Sequence, residues 1–339
     1  MLEIPEIVQL ASAFYGSATL FAALDCGIFG AIEECGGSAT LAGLADRLRL
    51  SRHGLRLLLD GCVAVGILEK EGVDPETALY RNTKAGRLAL VPGAPADLTK
   101  AIRYNQDIYA QWGRLAQLAQ TGKPVESPQL HLGEDPERTR RFALSMRGRA
   151  MAIGRSVVPQ IDLSGCSRLL DLAGGPAAYA ELLVRANPGL SAVTVDIPAV
   201  SAVAAECVAE AGLQDRIECR TGDYHADEYE PAAYDAVTIF GALHQESPEQ
   251  ICDILRRAAR ALRPGGRIFI LDMMTDATHT APAFSALFAI SMALTTEHGW
   301  VFSDTEMKEW LRETGFDPDE RTIAIPPPMP HWLVSARLR

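Results

Sequence analysis

The sequence predicts an α/β protein, a doubly wound and mainly parallel sheet behind a helical N-terminal part. Three observations predict it. Past Ser164, short β-rich runs alternate with helical stretches, the pattern of βαβ units whose ligands bind beyond the carboxyl ends of the strands. The last two runs, residues 320–325 and 331–337, have no helix between them and are expected to form an antiparallel hairpin at the sheet edge. Ahead of these, residues 1–95 read as capped helices with two short strand runs.

In chain order, the first feature is an uncharged stretch from Ile7 to Leu24, about as long as a short membrane span. Gln9, Ser12, Gly16, Ser17 and Thr19 interrupt it, and Glu3 and Glu6 stand where a secretory leader carries basic residues. A buried or partner-facing helix is therefore expected, and no membrane partner. Ser38, Ala39 and Thr40 cap a helix over 41–50, Ser51 caps a second over 53–66, and Gly66 stops it. Two strand runs follow at 67–72 and 79–83, around a polar loop. Helix, turn, helix and two strands describe a winged helix-turn-helix, which either reads DNA or mediates dimerisation. Arg47, Arg49, Arg52 and Arg56 are offset by Asp46, Asp60, Glu69 and Glu71, so the dimer module is expected. Pro92 to Pro95 is a linker, residues 96–163 are linking helices, and residues 164–339 form the Rossmann-like domain of seven strands. Phe284 to Leu294 is too short to cross a bilayer and reads as a core or pocket-lining helix.

Composition narrows the function. With 48% hydrophobic and 22% charged residues in 339, the chain is neither disordered, collagen-like nor a coiled coil. Thirty-two Lys and Arg against 43 Asp and Glu leave a net charge of -11, so no global field draws it to nucleic acid or anionic membranes. Seven scattered cysteines without a CxxC pair fit a reducing compartment, hence a cytoplasmic protein.

The chemistry is carried by Leu169 to Pro176, at the end of the first strand of the sheet. Gly174 and Gly175 let backbone approach a ligand closely. A dinucleotide fingerprint needs a third glycine, and Pro176 removes an amide that a phosphate would use. A cofactor without phosphate is indicated. Asp196, ahead of Ile197 at the end of the second strand, can accept from ribose hydroxyls. At the third, Gly222 and Asp223 offer an acceptor for an adenine amine and Tyr224 a stacking face. With Asp171, and with Phe240 and Gly241 at the end of the fourth strand, these residues form the expected site for S-adenosyl-L-methionine.

These motifs resemble the two-domain class I methyltransferases of the caffeate and acetylserotonin O-methyltransferase type, especially bacterial natural-product members, over nearly the whole chain. Residues 171–180 resemble the family's DxGGGxG loop, Asp196-Ile197-Pro198 its DLP, Gly222 to His225 its GDxF, and residues 260–273 its LxPGGxxxxxE. The resemblance implies a homodimer through the winged domain. It also implies a general base at His244, since the family's Leu-His-Asp-Trp falls on Leu243 to Glu246. An imidazole suits that task near neutral pH. Of the two acids that flank this histidine in plant members, one falls on Asp272 and the other on Val301; Glu246 and Glu297 are the candidate substitutes. Ala173, Ala177 and Gln245 are further departures.

His298 stands where the family pattern has glycine. Paired with His244, and with Glu246, Glu297 or Asp272 beside them, it forms an alternative metal site, of the kind that would hold the enolate of a 2-oxo acid for C-methylation. Arg147 or Arg149 would then bind the carboxylate. Met146, Met151, Phe288, Met292 and Trp300 are the expected apolar walls of the acceptor site, with Arg149, His298 and Asn105 as polar contacts. The leading expectation is a metal-free, homodimeric O-methyltransferase acting on a hydroxyl of a small aromatic or polyketide-like metabolite. The alternatives are the metal-assisted C-methyltransferase and a regulator whose winged domain binds DNA while the sheet senses the cofactor.

Overall fold

A computed structural model describes residues 2–127, 135–326 and 330–339. The chain forms two compact units, Met1–Gln106 and Asp107–Arg339, so the linking helices from residue 107 onward go with the sheet.

The first unit contains α1 (Ile4–Ser12), α2 (Phe14–Asp25), α3 (Ile28–Glu34), β1 (Ala39–Thr40), α4 (Leu41–Leu48), α5 (Arg52–Ala64), β2 (Leu68–Glu71), β3 (Leu79–Asn82), α6 (Lys84–Ala89) and most of α7 (Thr99–Asp107). Hydroxyls begin three of these helices: Thr40, Ser51 and Thr83 accept from the amides of Gly43, Gly54 and Gly86. β3 pairs antiparallel with β1 on one side and β2 on the other, which makes the wing. Ile28, Phe29, Ile32, Leu44, Leu55, Leu59 and Tyr80 form its core, each such side chain contributing about 1.5–3 kcal/mol on burial.

Of the two expectations for the apolar N-terminal segment, a buried or a partner-facing helix, α1 does not meet the first. α1 buries no residue, and Leu2, Ile4, Ile7, Val8, Leu10, Phe14 and Tyr15 are all exposed in the single chain. Among the described residues, Ile4–Asp25 is long and apolar enough to cross a membrane by length and composition. A capping box between Glu3 and Glu6 opens it.

The second unit begins with α8 (Tyr109–Trp112), α9 (Leu115–Thr121) and α10 (Pro136–Val157). Then β4 (Arg168–Leu172), α11 (Ala178–Ala186), β5 (Ser191–Asp196), α12 (Pro198–Glu210), β6 (Ile217–Thr221), β7 (Tyr234–Phe240), α13 (Pro248–Ala261) and β8 (Leu262–Asp272) alternate as the sequence predicts. α14 (Ala283–Thr295), α15 (Asp304–Glu313), β9 (Phe316–Pro318), β10 (Ile323–Ala324) and β11 (Trp332–Leu338) complete the unit. The sheet order is β10-β11-β8-β7-β4-β5-β6; the strands from β8 to β6 pair parallel, and β11 runs antiparallel to β8 and β10. The seven expected strands are present, and β9, too short to read in the sequence, pairs with β11 as an eighth.

Both sheet faces are covered, which is why the strands read as continuous apolar runs. Leu170, Leu172, Ile268 and Ile270 pack toward α13 and α15, while Leu169, Phe269 and Leu271 pack toward α10 and α11. The strand order reverses beside β4. The carboxyl ends of β4, β5, β6 and β7 therefore frame the crevice where doubly wound sheets bind ligands.

Candidate active site

The loop after β4 is held in a conformation that ordinarily asks for glycine. Ala173, Gly175 and Ala177 take positive φ of 51°, 56° and 58°. Two of them are alanines where the resembling pattern has glycine, at a strain of about 1–2 kcal/mol each. We expect Ala173→Gly to raise the unfolding free energy by up to about 1 kcal/mol, after allowing for the looser unfolded chain. Urea denaturation reads this directly, and a lowered midpoint would show that position 173 carries no strain. At Gly174 there is no latitude, because a Cβ would collide with Thr194 Oγ1 and Asp171 Oδ2.

Asp171, expected from the sequence in the cofactor site, lies buried beneath this loop and braces it. It is 1% exposed; Thr238 Oγ1 donates to it at 2.7 Å and Thr194 Oγ1 at 3.3 Å. Those threonines are its register partners on β7 and β5. Burial raises its carboxyl to about 6, against the pull of the two hydroxyls.

Asp196 faces the loop directly. Its carboxylate accepts from the Gly175 amide and the Ile197 amide, each at 2.8 Å, and burial raises it to about 6 against those two bonds. Each oxygen retains a lone pair for a hydroxyl. The Gly175 amide, the natural donor to a phosphate, is thus already engaged, and Pro176 has none. A ribose without phosphate fits this arrangement, as S-adenosylmethionine requires.

Next to it, the Gly222 amide donates to the Asp196 carbonyl at 3.0 Å, and Asp223 is exposed with Oδ1 accepting from the His225 amide at 2.9 Å. Tyr224 is not simply a stacking face: its phenol donates to Glu246 Oε1 at 2.7 Å. Burial first, and then the Glu246 carboxylate, raise that phenol well above its usual range. Phe240 meets the edge of Tyr179 at 4.9 Å, and Gly241, at a φ of 68°, turns the chain into a short 3-10 helix, Leu243–Gln245.

That turn presents His244. Its Nδ1 lies 2.6 Å from Asp272 Oδ1, with the two residues 6% and 2% exposed. A carboxylate only accepts, so Nδ1 carries the hydrogen and Nε2 keeps the lone pair. The Met273 amide also donates to Asp272 Oδ1 at 2.8 Å, while Oδ2 has no hydrogen-bond partner. Burial alone would raise the Asp272 carboxyl, but His244, the Met273 amide and buried His331 together hold it below its ordinary value. His331, just ahead of β11, was not legible as a site residue; only the pairing of Trp332 with Asp272 brings it near.

The acceptor-site expectations are met unevenly. Phe288 sets its ring at 5.1 Å edge-on to His244. Arg149 lies 5.8 Å over Phe288 with Nη2 3.7 Å from Met273 Sδ. Met146 is half-buried one turn before Arg149, Met151 is half-buried further along α10, and Met292 is buried one turn after Phe288. The Trp300 amide donates to the His244 carbonyl at 3.0 Å. Arg147 is not a ligand arginine: it donates to Glu181 and to the Pro176 carbonyl, pinning α10 to the loop. Asn105 belongs to α7 in the first unit.

The metal alternative is corrected. His298 is exposed, near Glu249, while His244 is buried and uses Nδ1 on Asp272. Among the described residues no group of three His, Cys, Asp or Glu side chains could hold a metal ion. Nor do the candidate substitutes for the second acid reach His244. Glu297 is exposed, and Glu246, though buried, is turned to Tyr224.

Residues 125–317 match the family model described as an O-methyltransferase domain, and residues 8–92 the one described as an O-methyltransferase dimerisation domain. The chain belongs to the O-methyltransferase family. This O-methyltransferase family member is 30% identical to 3-hydroxy-5-methyl-1-naphthoate 3-O-methyltransferase of Streptomyces sahachiroi, over 97% of its own length and 94% of that protein's. It is 29% identical to L-tyrosine C(3)-methyltransferase of Streptomyces lavendulae, over 98% and 93%. It superposes on human N-acetylserotonin methyltransferase, solved with S-adenosylmethionine, at a TM-score of 0.88 and 26% identity, covering 98% and 97% of the two chains. It is an S-adenosylmethionine-dependent methyltransferase.

Proposed function

We propose that the enzyme methylates a hydroxyl of a small aromatic or polyketide-like acceptor, with His244 as general base. The observation that carries this is the 2.6 Å contact of His244 with Asp272 at the end of the strand next to the cofactor crevice. When bound, S-adenosylmethionine supplies a methyl already activated by the sulfonium. The protein's task is then to hold the acceptor oxygen in line and remove its proton. His244 Nε2 accepts that proton, and Asp272 fixes the tautomer and stabilises the imidazolium that results. Phe288 excludes water on one side of the base. Asp196 and the Gly174–Gly175 backbone hold the nucleoside, with Asp223 as acceptor for its amine.

The two Streptomyces relatives are named for 3-O-methylation of a hydroxynaphthoate and for C(3)-methylation of L-tyrosine, both aromatic hydroxy compounds. The test is a panel of phenols, hydroxynaphthoates and polyketide phenols incubated with S-adenosylmethionine, with products assigned by mass and NMR. O-methyl products are expected. Ring-carbon methylation would transfer the same base to C-methyl chemistry, and no methylated product from any hydroxyl acceptor would overturn the proposal.

The Asp196 carboxyl, raised to about 6 by burial, sets a pH dependence. Ribose hydroxyls donate best to the ionised form. Affinity for S-adenosylhomocysteine should therefore hold above about pH 6 and fall as pH drops below it, by up to about tenfold per unit. Calorimetry between pH 5 and 8 checks this; a flat profile would mean Asp196 is not the ribose acceptor.

The exposed apolar face of α1 and α2, within the matched dimerisation domain, supports a homodimer. Sedimentation velocity should give twice the 36.6 kDa chain mass, and a double Ile4→Glu, Val8→Glu variant should sediment as monomer. A wild-type monomer would sink this reading. A cytoplasmic protein with neither nucleic-acid nor membrane partner fits the charge of -11; retention on heparin at low salt would count against it.

A further inference from the structure

Strands β6 and β7 are separated in the sheet by β4 and β5, so their carboxyl ends stand about 14 Å apart at ordinary strand spacing. Side-chain contacts to Glu246 span that gap. Tyr224, three residues past β6, donates to Glu246, six residues past β7, at 2.7 Å. Glu246 is 5% exposed, and its second oxygen lies 3.4 Å from His225 Nε2. Its backbone carbonyl accepts from Trp300 Nε1 at 2.8 Å, and Trp300 in turn donates its amide to the His244 carbonyl. Glu246 is therefore locked on both sides, two residues from the base. Where the resembling GDxF and Leu-His-Asp-Trp patterns have Phe and Trp, this chain has His225 and Glu246. A polar contact stands where that pattern has two apolar rings. A buried carboxylate is costly without donors, so its retention at this point needs the Tyr224 phenol.

We propose that Tyr224 and Glu246 are a positioning pair, a tie across the cofactor crevice that makes the adenosine-side loop and the turn bearing His244 move as one. Adenosine binding against Asp223 and Asp196 then also sets the orientation of His244. The effect on His244 rests on the function proposed above, whereas the tie itself is read from binding alone.

The experiment is a double-mutant cycle on the full chain with Tyr224→Phe, Glu246→Ala and both together, plus Glu246→Gln. S-adenosylhomocysteine affinity is measured by calorimetry, and kcat and both KM values by methyl transfer. Each single change should weaken S-adenosylhomocysteine by about tenfold or more, since a hydrogen bond to a buried charge is lost. The double should be no more than about twofold weaker than either single. Glu246→Gln, which keeps an oxygen acceptor and the side-chain volume, should recover to within about threefold of wild type. The KM for S-adenosylmethionine should rise and kcat fall, with the acceptor KM unchanged. Additive losses in the double, or singles within twofold of wild type, overturn the tie. Lost coupling with intact methyl transfer overturns the tie alone; intact coupling without transfer to any hydroxyl overturns the proposed function alone.

Discussion

His244→Ala lowers kcat by about 10²–10⁴-fold, the range for a positioned general base, and leaves S-adenosylhomocysteine affinity within about threefold of wild type. The asymmetry follows from the geometry. The His244 side chain contacts Asp272 and Phe288, whereas the proposed nucleoside acceptors Asp196 and Asp223 lie on other loops. Asp272→Asn should share most of the loss, because an amide at this position can turn its NH2 toward Nδ1 and favour the tautomer that leaves no lone pair on Nε2. Single-turnover methyl transfer paired with calorimetry separates the two quantities. Unchanged turnover in His244→Ala would remove the base assignment. An equal loss in affinity and turnover would reassign the residue to binding.

Gly174→Ala abolishes cofactor binding and costs the fold about 2–4 kcal/mol. The added methyl has no empty space to enter, since it would meet the Thr194 hydroxyl and the Asp171 carboxylate. Relief requires either moving β5 away from β4 or breaking the Thr238–Asp171–Thr194 row that joins three strands. Overpacking of this kind costs about 1–3 kcal/mol, and an unpartnered buried carboxylate adds more. The same shift displaces the Gly175 amide from Asp196, so both halves of the ribose site are disturbed. Chemical denaturation and titration with S-adenosylhomocysteine report the two losses. A variant that keeps wild-type stability and affinity would show that the loop has slack these contacts do not reveal.

Much of the fold was legible because it is written in local chemistry. Capping hydroxyls at Thr40 and Ser51, the glycines after β4 and the uninterrupted apolar runs of parallel strands each announce their own conformation. The candidate cofactor site was legible for the same reason, since Asp196 and Gly222 stand at and just past strand ends. What could not be read were relations between distant segments. Asp171 looks in sequence like a ligand acid, but only the register of β4 with β5 and β7 puts a threonine on each side of it and turns it inward. Arg147 and Arg149 are two residues apart on α10, so they point in different directions around the helix. One pins the loop and the other lies over Phe288. Glu246 carried no signal of burial, because its partner Tyr224 follows β6, which two other strands separate from β7 in the sheet. The exposure of α1 was equally hidden, as an apolar helix reads the same whether its cover is its own chain or another.

The engaged amide of Gly175 bears on selectivity inside a cell. ATP and the nicotinamide dinucleotides present the same adenosine half as the methyl donor and are therefore its natural competitors. A pyrophosphate approaching this loop would have to displace Asp196 from that amide and then remain beside a displaced charge of its own sign. Discrimination against the nucleotide pool thus falls to the contact of the Asp196 carboxylate with the Gly175 amide, the same carboxylate proposed to take the ribose.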